Sequence, residues 1–414
     1  MTTANVLPDG VDWIRLVFTD VFGLTNAMHV PAAAWPAAVS PGIPFDGSAL
    51  EGRARLLESE MVLRAVPSTI ARGNDGVARC LAEVVGPDGR PWPSDPRTSL
   101  LRVVDQADEL GAAWTGSAEL EFYLLDGQRH PVDAGGYFDE VSGPGPRCVR
   151  TAAGRLIDLG VPVDGTHHEA GPGQFEIGIG ALPAADLADA LVLAKQTVRE
   201  AAAADGLVAT FMPRPLPDRP GSGLHVHQRA GRALFDDGEL DASGRAYIAG
   251  LLDHAGGLVA LSCPNVNSYK RLGLGSEAPS SAVWAHRNRA ALVRVAADLG
   301  RGPSIEWRAA DPCANPYLLL AGLLLAGSDG IDNESDPGPP EEEHVGGLSV
   351  LATRYHPLPR SLDEALDALL ADDVLVDGFD SALLGRLVDG RRAEAEQHRA
   401  HITSWEIERY LEQE

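Results

Sequence analysis

At 414 residues the chain exceeds one average domain, and 44% hydrophobic with 22% charged residues is the composition of a soluble globular protein that can bury a sizeable core. A formal net charge of -25 argues against nucleic acid and anionic membrane partners, because a polyanion would have to approach an acidic surface. It fits a soluble enzyme, or one that collects cations. Cys80, Cys148, Cys263 and Cys313 form no Cys-x-x-Cys pair, which fits a reducing cytoplasm, and neither a signal segment nor a bilayer-spanning apolar run is expected.

In chain order, residues 11–31 alternate apolar and polar and predict a two-stranded hairpin turning near Phe22–Thr25. Phe45-Asp46-Gly47-Ser48 reads as a polar loop. Arg79–Val85 reads as a strand closed by Gly86-Pro87-Asp88-Gly89, and Pro91, Pro93 and Pro96 mark a boundary. Helical spacing follows over Arg97–Leu110, then a strand over Glu119–Leu125. Alanine-rich helices are predicted at 184–205, 243–260 and 280–292, alternating with strands near 174–179, 223–228 and 304–308, and a solvated loop at 333–347. A helical C-terminal stretch ends near Tyr410. The fold class is therefore α+β: a small β-rich N-terminal domain over 1–96 and a larger domain over 97–414.

The densest stretch chemically is His167-His168-Glu169-Ala170-Gly171-Pro172-Gly173-Gln174-Phe175-Glu176-Ile177. Its Gly-Pro-Gly turn lets Glu169 and Glu176 face one another, and two close carboxylates are stable mainly with a cation between them. Glu119 and Glu121, at i and i+2, project from one face of a strand, and His225 and His227 share that spacing after Gly221-Ser222-Gly223. Glu306 and Arg308 repeat it; Asn267–Arg271, Glu277, Arg287, Arg289 and Arg294 add a density of guanidinium suited to anions. Five Glu and one His favour Mg²⁺ or Mn²⁺ over zinc. A carboxylate-rich cation site beside arginines is equipment for phosphoryl transfer, with no Gly-x-x-x-x-Gly-Lys run to hold the nucleotide.

These motifs, with Asn-Ser-Tyr-Lys-Arg-Leu, Glu-Ala-Pro, Arg-Asn-Arg and Asp-Pro-Cys-Ala-Asn-Pro-Tyr, occur in the order and spacing of the glutamine synthetase family, and the chain resembles it over nearly its whole length. The resemblance implies a β-grasp N-terminal domain and a catalytic domain with an antiparallel sheet. It also implies an ATP-dependent, cytoplasmic ligase that phosphorylates the γ-carboxylate of glutamate and lets ammonia or an amine displace phosphate. It makes Glu121, Glu169 and Glu176 ligands of one Mg²⁺ (or Mn²⁺), and Glu119, His225 and Glu306 ligands of another. It puts Arg271 and Arg308, with Gly221, on the glutamate; Arg289 and Arg294 on the ATP phosphates, Arg289 also stabilising transferred charge. Glu277 becomes a lid carboxylate that helps deprotonate the amine, and Asp46 and Tyr137 line the ammonium pocket. Asp46 would come from a neighbouring subunit, which implies a homo-oligomer of stacked hexameric rings.

Three positions depart from the family pattern: Pro220 replaces an Asn that contacts glutamate, Ser304 replaces an Arg that contacts phosphate, and Ala49 replaces a Ser of the ammonium pocket. The lost hydroxyl at Ala49 favours a small primary amine as acceptor, and Pro220 opens the choice of acid. Authentic glutamine synthesis and an inactive regulatory paralogue are the alternatives.

Overall fold

The computed structural model describes residues 7–412 except 52–59, 74–75, 231–233, 237, 273–277, 298–301 and 344–355. Its first sheet is built from β1 (Trp13–Thr19), β2 (Thr25–Pro31), β3 (Ile43–Asp46), β4 (Glu60–Ala65), β5 (Ala71–Arg72) and β6 (Val77–Val85). The order is β2-β1-β6-β4-β3, with β5 also on β6. Ile14, Leu16 and Phe18 alternate inward on β1 and meet Met61, Leu63, Ala65, Cys80, Ala82 and Val84 in one small core, as the two-residue pleat requires.

The expected hairpin is present, with Trp13 opposite Pro31 and Thr19 opposite Thr25. Its turn is tied by the Asp20 carboxylate, which accepts from the Phe22 and Leu24 N–H groups at 3.0 and 2.8 Å. Gly23 takes φ 80°, and a Cβ there would lie 2.9 Å from the Asn315 Cα, so both backbone and space require glycine. This turn is plugged into the larger domain. Val21 belongs to that domain's core, Asn315 Nδ2 donates to the Asp20 and Val21 carbonyls at 3.1 and 3.3 Å, and the Arg391 guanidinium sits 5.0 Å above the Phe22 ring.

The second sheet comprises β7 (Thr115–Leu125), β8 (Val163–His168), β9 (Gln174–Pro183), β10 (Val208–Thr210), β11 (Leu224–Arg229), β14 (Trp284–Ala285), β15 (Val293–Ala296) and β16 (Ser304–Trp307); β12 (Phe235–Asp236) and β13 (Glu239–Leu240) make a separate ribbon. The order is β14-β15-β16-β11-β7-β9-β8, with β10 also on β7. All pairs are antiparallel except the two-residue β14–β15 edge.

After α1 (Trp35–Val39), the helices of the larger domain begin with α2 (Pro96–Gln106), which starts where proline can open a helix and Asp95 can accept from Thr98 N at 3.0 Å. Then come α3 (Asp108–Ala113), α4 (Pro144–Asp158), α5 (Ala184–Ala204), α6 (Ala242–Asp253), α7 (Ala255–Ser262) and α8 (Pro316–Asp332). Leu120, Phe122 and Leu124 of β7 pack with Cys148 and Leu156 of α4 and Leu187 and Val198 of α5, which leaves the alternate residues of β7 for the other face. No helix among the described residues is long and apolar enough to cross a membrane.

Three expectations need correction. Residues 280–292 are not helical: Val283 and Trp284 run beside Leu292 and Val293, and Asn288 closes a turn by accepting from Ala290 N at 3.0 Å. The predicted helix at 243–260 is two, α6 and α7, meeting at His254, whose ring nitrogens lie 2.8 Å from Asp372 and 3.1 Å from Asp329. The loop at 333–347 is not purely solvated. Glu342 accepts from His286 N and Arg287 N, while the Glu341 and Glu343 carbonyls accept from Asn288 Nδ2.

Candidate active site

The antiparallel register assembles the site in two transverse rows across one face of the larger sheet. In the first, His167 of β8 is opposite Glu176 of β9, and Glu176 is opposite Glu121 of β7. In the second, Glu119 of β7 is opposite His225 of β11, while His227 is opposite Glu306 of β16 and Glu306 opposite Arg294 of β15. Glu121 and Glu176, 55 positions apart in the chain, thus become neighbours because strand pairing, not sequence proximity, sets the row.

Each carboxylate of the first row is fixed. Glu121 Oε2 accepts from Gly223 N at 2.8 Å and Gln174 Nε2 at 3.2 Å, which turns Oε1 outward. Gln174 is itself buried, and its Oε1 accepts from Gly171 N at 2.9 Å. His167 Nε2 is 3.1 Å from Glu176 Oε1, and its Nδ1 is 3.4 Å from Glu169 Oε1. Burial first, and then repulsion by Glu169, pushes Glu121 up to about 8; burial and then Glu176 push Glu169 up to about 7. The hydrogen bond to Glu176 raises His167 to about 9, so it is an imidazolium held between acids.

The second row is electrically balanced. Glu119 is 2.9 Å from His225 Nδ1 and 3.1 Å from His227 Nε2; burial pulls it upward, but these two hydrogen bonds win and hold it far below the usual carboxylate range. Glu306 is fully buried between Arg308 Nη1 and Arg294 Nε; burial again pulls upward and the Arg308 charge, then the histidines, lower it. Ser304, the serine standing where the family pattern has arginine, lies 3.1 Å from His227 Nδ1.

Both rows open into a cavity of about 680 Å³. Glu121, Glu169, His225, Arg271, Arg289, Arg308, Gly221 and Tyr137 line it, so most of the expected site residues converge there. Arg308 Nε donates to the Arg289 carbonyl at 2.8 Å, and Arg271 Nη1 to the Ala309 carbonyl at 2.7 Å. Glu119, Glu176 and Glu306 stand in the two rows without lining the cavity, and two further expected residues do not converge there. Asp46 ends β3 in the other sheet, and Arg294 is paired with Glu306 and does not line the cavity. Glu277 lies outside the described residues. Sequence reasoning missed Gln174, His167 and His227 as members of the clusters, and Arg214, Asp218 and Arg219 at the rim. His227 carried a usable signal in its two-residue spacing from His225; Gln174 carried none.

The arrangement suits a divalent cation and a polyanion. In the first row three carboxylates crowd together and two are pushed toward their neutral forms, a repulsion that a hard cation would relieve. In the second row, imidazole and carboxylate donors sit beside guanidinium groups that would neutralise phosphate. The residues present therefore fit bound Mg²⁺ or Mn²⁺.

A cleft with these donors on an α+β sheet has the chemistry to hold a divalent cation beside a phosphate, and comparison with known proteins makes the class specific. The glutamine synthetase catalytic domain matches residues 93–410, and the glutamine synthetase beta-grasp domain matches residues 10–86. The chain is 36% identical to the glutamine synthetase of Thermus thermophilus over 436 residues, covering 97% of this chain and 96% of that one. It is 36% identical to that of Mycolicibacterium smegmatis over 428 residues, at the same coverage. A solved GmaS/ADP complex superposes with a TM-score of 0.87 at 28% identity, covering 98% of this chain and 97% of that one; ligand-free GmaS gives 0.86 at 29%. The chain belongs to the glutamine synthetase family.

Proposed function

We propose that the protein is an ATP-dependent ligase that joins the γ-carboxyl of glutamate, or a close analogue, to ammonia or a small primary amine through a γ-glutamyl phosphate. The observation that carries this reading is the convergence, in one cavity, of the Glu121 and Glu169 carboxylates, suited to a divalent cation, with Arg271, Arg289 and Arg308. Bound Mg²⁺ or Mn²⁺, held by Glu121, Glu169 and Glu176 and by Glu119, His225 and Glu306, would supply neutralisation of phosphate charge.

The chain's own residues do the rest. A γ-carboxylate oxygen attacks the terminal phosphorus of ATP and ADP leaves; Arg289 offsets charge on the moving phosphoryl group and Arg308 orients the carboxyl. The amine lone pair then attacks the acyl carbon, phosphate departs with the C–O bonding electrons, and Glu277 takes the surplus proton. Arg294 is held to Glu306 through Nε, and its Nη groups would be the ones offered to nucleotide phosphate. Asp46 completes the amine pocket from a second copy, which makes the working form a ring assembly, and the four free cysteines support a reducing compartment such as the cytoplasm.

The small side chain expected at position 49 supports an amine as acceptor; the glutamine synthetase relatives support ammonia as the second reading. Phosphate release from ATP with Mg²⁺ and glutamate, comparing ammonium with methylamine and larger primary amines and weighing each product by mass, decides between them. An amine product dominating supports the first reading, glutamine alone supports the second, and no release with any acceptor overturns both.

A further inference from the structure

Arg289, which would meet the moving phosphoryl group, is carried by no helix or strand. It sits in residues 286–292, the turn between the two-residue strand β14 and β15, and its side chain is exposed at the cavity. The apolar support of this turn is slight: Val283, Ala285 and Ala291 form a cluster of their own, apart from the main core. A working guanidinium has to be held to within about 0.5 Å, and packing of that size does not do it, so polar fastening must.

The turn is fastened twice. The Arg289 carbonyl accepts from Arg308 Nε at 2.8 Å. A second set of bonds comes from residues 341–343, which strap the turn from more than 50 positions away in the chain. The Glu342 carboxylate accepts from His286 N at 2.8 Å through Oε1 and from Arg287 N at 3.0 Å through Oε2, charge-assisted bonds stronger than neutral ones. Asn288 completes the hold. It is buried and its amide is fully engaged: Oδ1 accepts from Ala290 N at 3.0 Å within the turn, and Nδ2 donates to the Glu341 and Glu343 carbonyls at 3.2 and 2.9 Å. The strap is itself anchored. Glu341 N donates to the Trp284 carbonyl at 2.8 Å, the Trp284 indole to the Gly338 carbonyl at 3.2 Å, and Arg245 of α6 to Asp336 Oδ1 at 2.6 Å.

We propose that residues 341–343 and Asn288 form a clasp that sets where the Arg289 guanidinium stands, so that Asn288 and Glu342 are positioning residues for phosphoryl transfer, acting through Arg289. This rests on the reading of the cavity as the site where ATP phosphorylates a carboxyl. Because Arg308 holds the same turn by the Arg289 carbonyl, the clasp also fixes the phosphate-handling arginine relative to the carboxyl-handling one. A group aimed at charge that develops in the transition state gains from fixed geometry and not from tighter binding of the ground state. A loosened clasp therefore shows in kcat and leaves the KM for glutamate nearly unchanged.

The test uses the full-length protein with Mg²⁺, ATP, glutamate and its best acceptor, and reads phosphate release. Asn288→Asp keeps an oxygen for Ala290 N but removes both donors to the strap; it should lower kcat about 10- to 100-fold and leave the KM for glutamate within about twofold. Glu342→Gln, which keeps one of the two accepting oxygens, should lower kcat about 3- to 10-fold. A double-mutant cycle separates positioning from a fold defect, which would act whether or not Arg289 is present. Arg289→Ala alone should lower kcat by about 100-fold, and adding Asn288→Asp should cost less than about twofold more. If the two losses multiply, or if Asn288→Asp alone leaves kcat unchanged, the clasp is wrong and the ligase reading stands. If wild type releases no phosphate with any acceptor, the ligase reading falls and the role of the clasp with it.

Discussion

At the scale of single residues, the site depends on how each carboxylate is held. Among the described residues the Glu169 carboxylate accepts from Ala170 N at 3.1 Å and lies 3.4 Å from His167 Nδ1, and it is pushed toward neutrality by burial and by Glu176. Glu169→Ala should reduce turnover by more than about 100-fold and weaken Mg²⁺ binding, measured by phosphate release and by calorimetric titration. Gln174 acts through Glu121. Gln174→Leu removes the amide that fixes Oε2 and should raise the Mg²⁺ concentration for half-maximal thermal stabilisation about 10-fold, while a neutral result would show that Gly223 N suffices. The paired acids of β7 and the His-His-Glu run were legible because strand periodicity and a glycine turn announce which side chains share a face. Gln174 was illegible because its partners, Glu121 and the Gly221 carbonyl, are 53 and 47 positions away and no local pattern marks them.

At the scale of elements, the hairpin β1–β2 and the strands β7, β9, β11 and β16 could be read from alternation, since each has one face in a core and one outside it. The helix α8 could not. It is buried on nearly every side, so its leucines and alanines show no amphipathic stripe. It also lies against α6 with almost no space between backbones: a Cβ at Gly250 would fall 2.0 Å from the Ala326 carbonyl, and one at Gly330 2.1 Å from the Ala246 carbonyl. Gly250→Ala should therefore cost about 3 kcal/mol in urea unfolding, despite alanine's better helix propensity.

The α6–α7 junction has its own pH signature. The Asp372 hydrogen bond raises His254 to about 8 against the opposing pull of burial, while in the unfolded chain it titrates near its ordinary value of about 6.5. The folded state thus binds the proton more tightly. This stabilisation is complete below about pH 6.5 and is lost as the pH rises through about 8, amounting to about 1 kcal/mol after solvent screening. His254→Gln should flatten the difference in urea midpoint between pH 6 and pH 9; an unchanged difference would place the titration elsewhere.

At the scale of the whole molecule, Mg²⁺ at about 100 times its dissociation constant should add about 2.7 kcal/mol of stability, seen as a rise in melting temperature that Glu169→Ala lacks. The division into two cores was legible in the proline-rich boundary and the change from strand to helix spacing, whereas the plug of the hairpin turn into the larger domain was not, because Val21 and Phe22 read locally as ordinary turn-flanking apolar residues.

That plug governs how the protein can move. Asn315 holds the Asp20 and Val21 carbonyls with its amide nitrogen and caps α8 with its oxygen, accepting from Tyr317 N at 3.1 Å, and it stands seven positions after Arg308 in the chain. Swinging the small domain would uncap α8 and draw Val21 out of the core, so the two domains move as one body. Opening and closing around substrates then belongs to the rim segments of the larger domain, and trapping the open and closed states requires cross-linking loop to loop, not domain to domain.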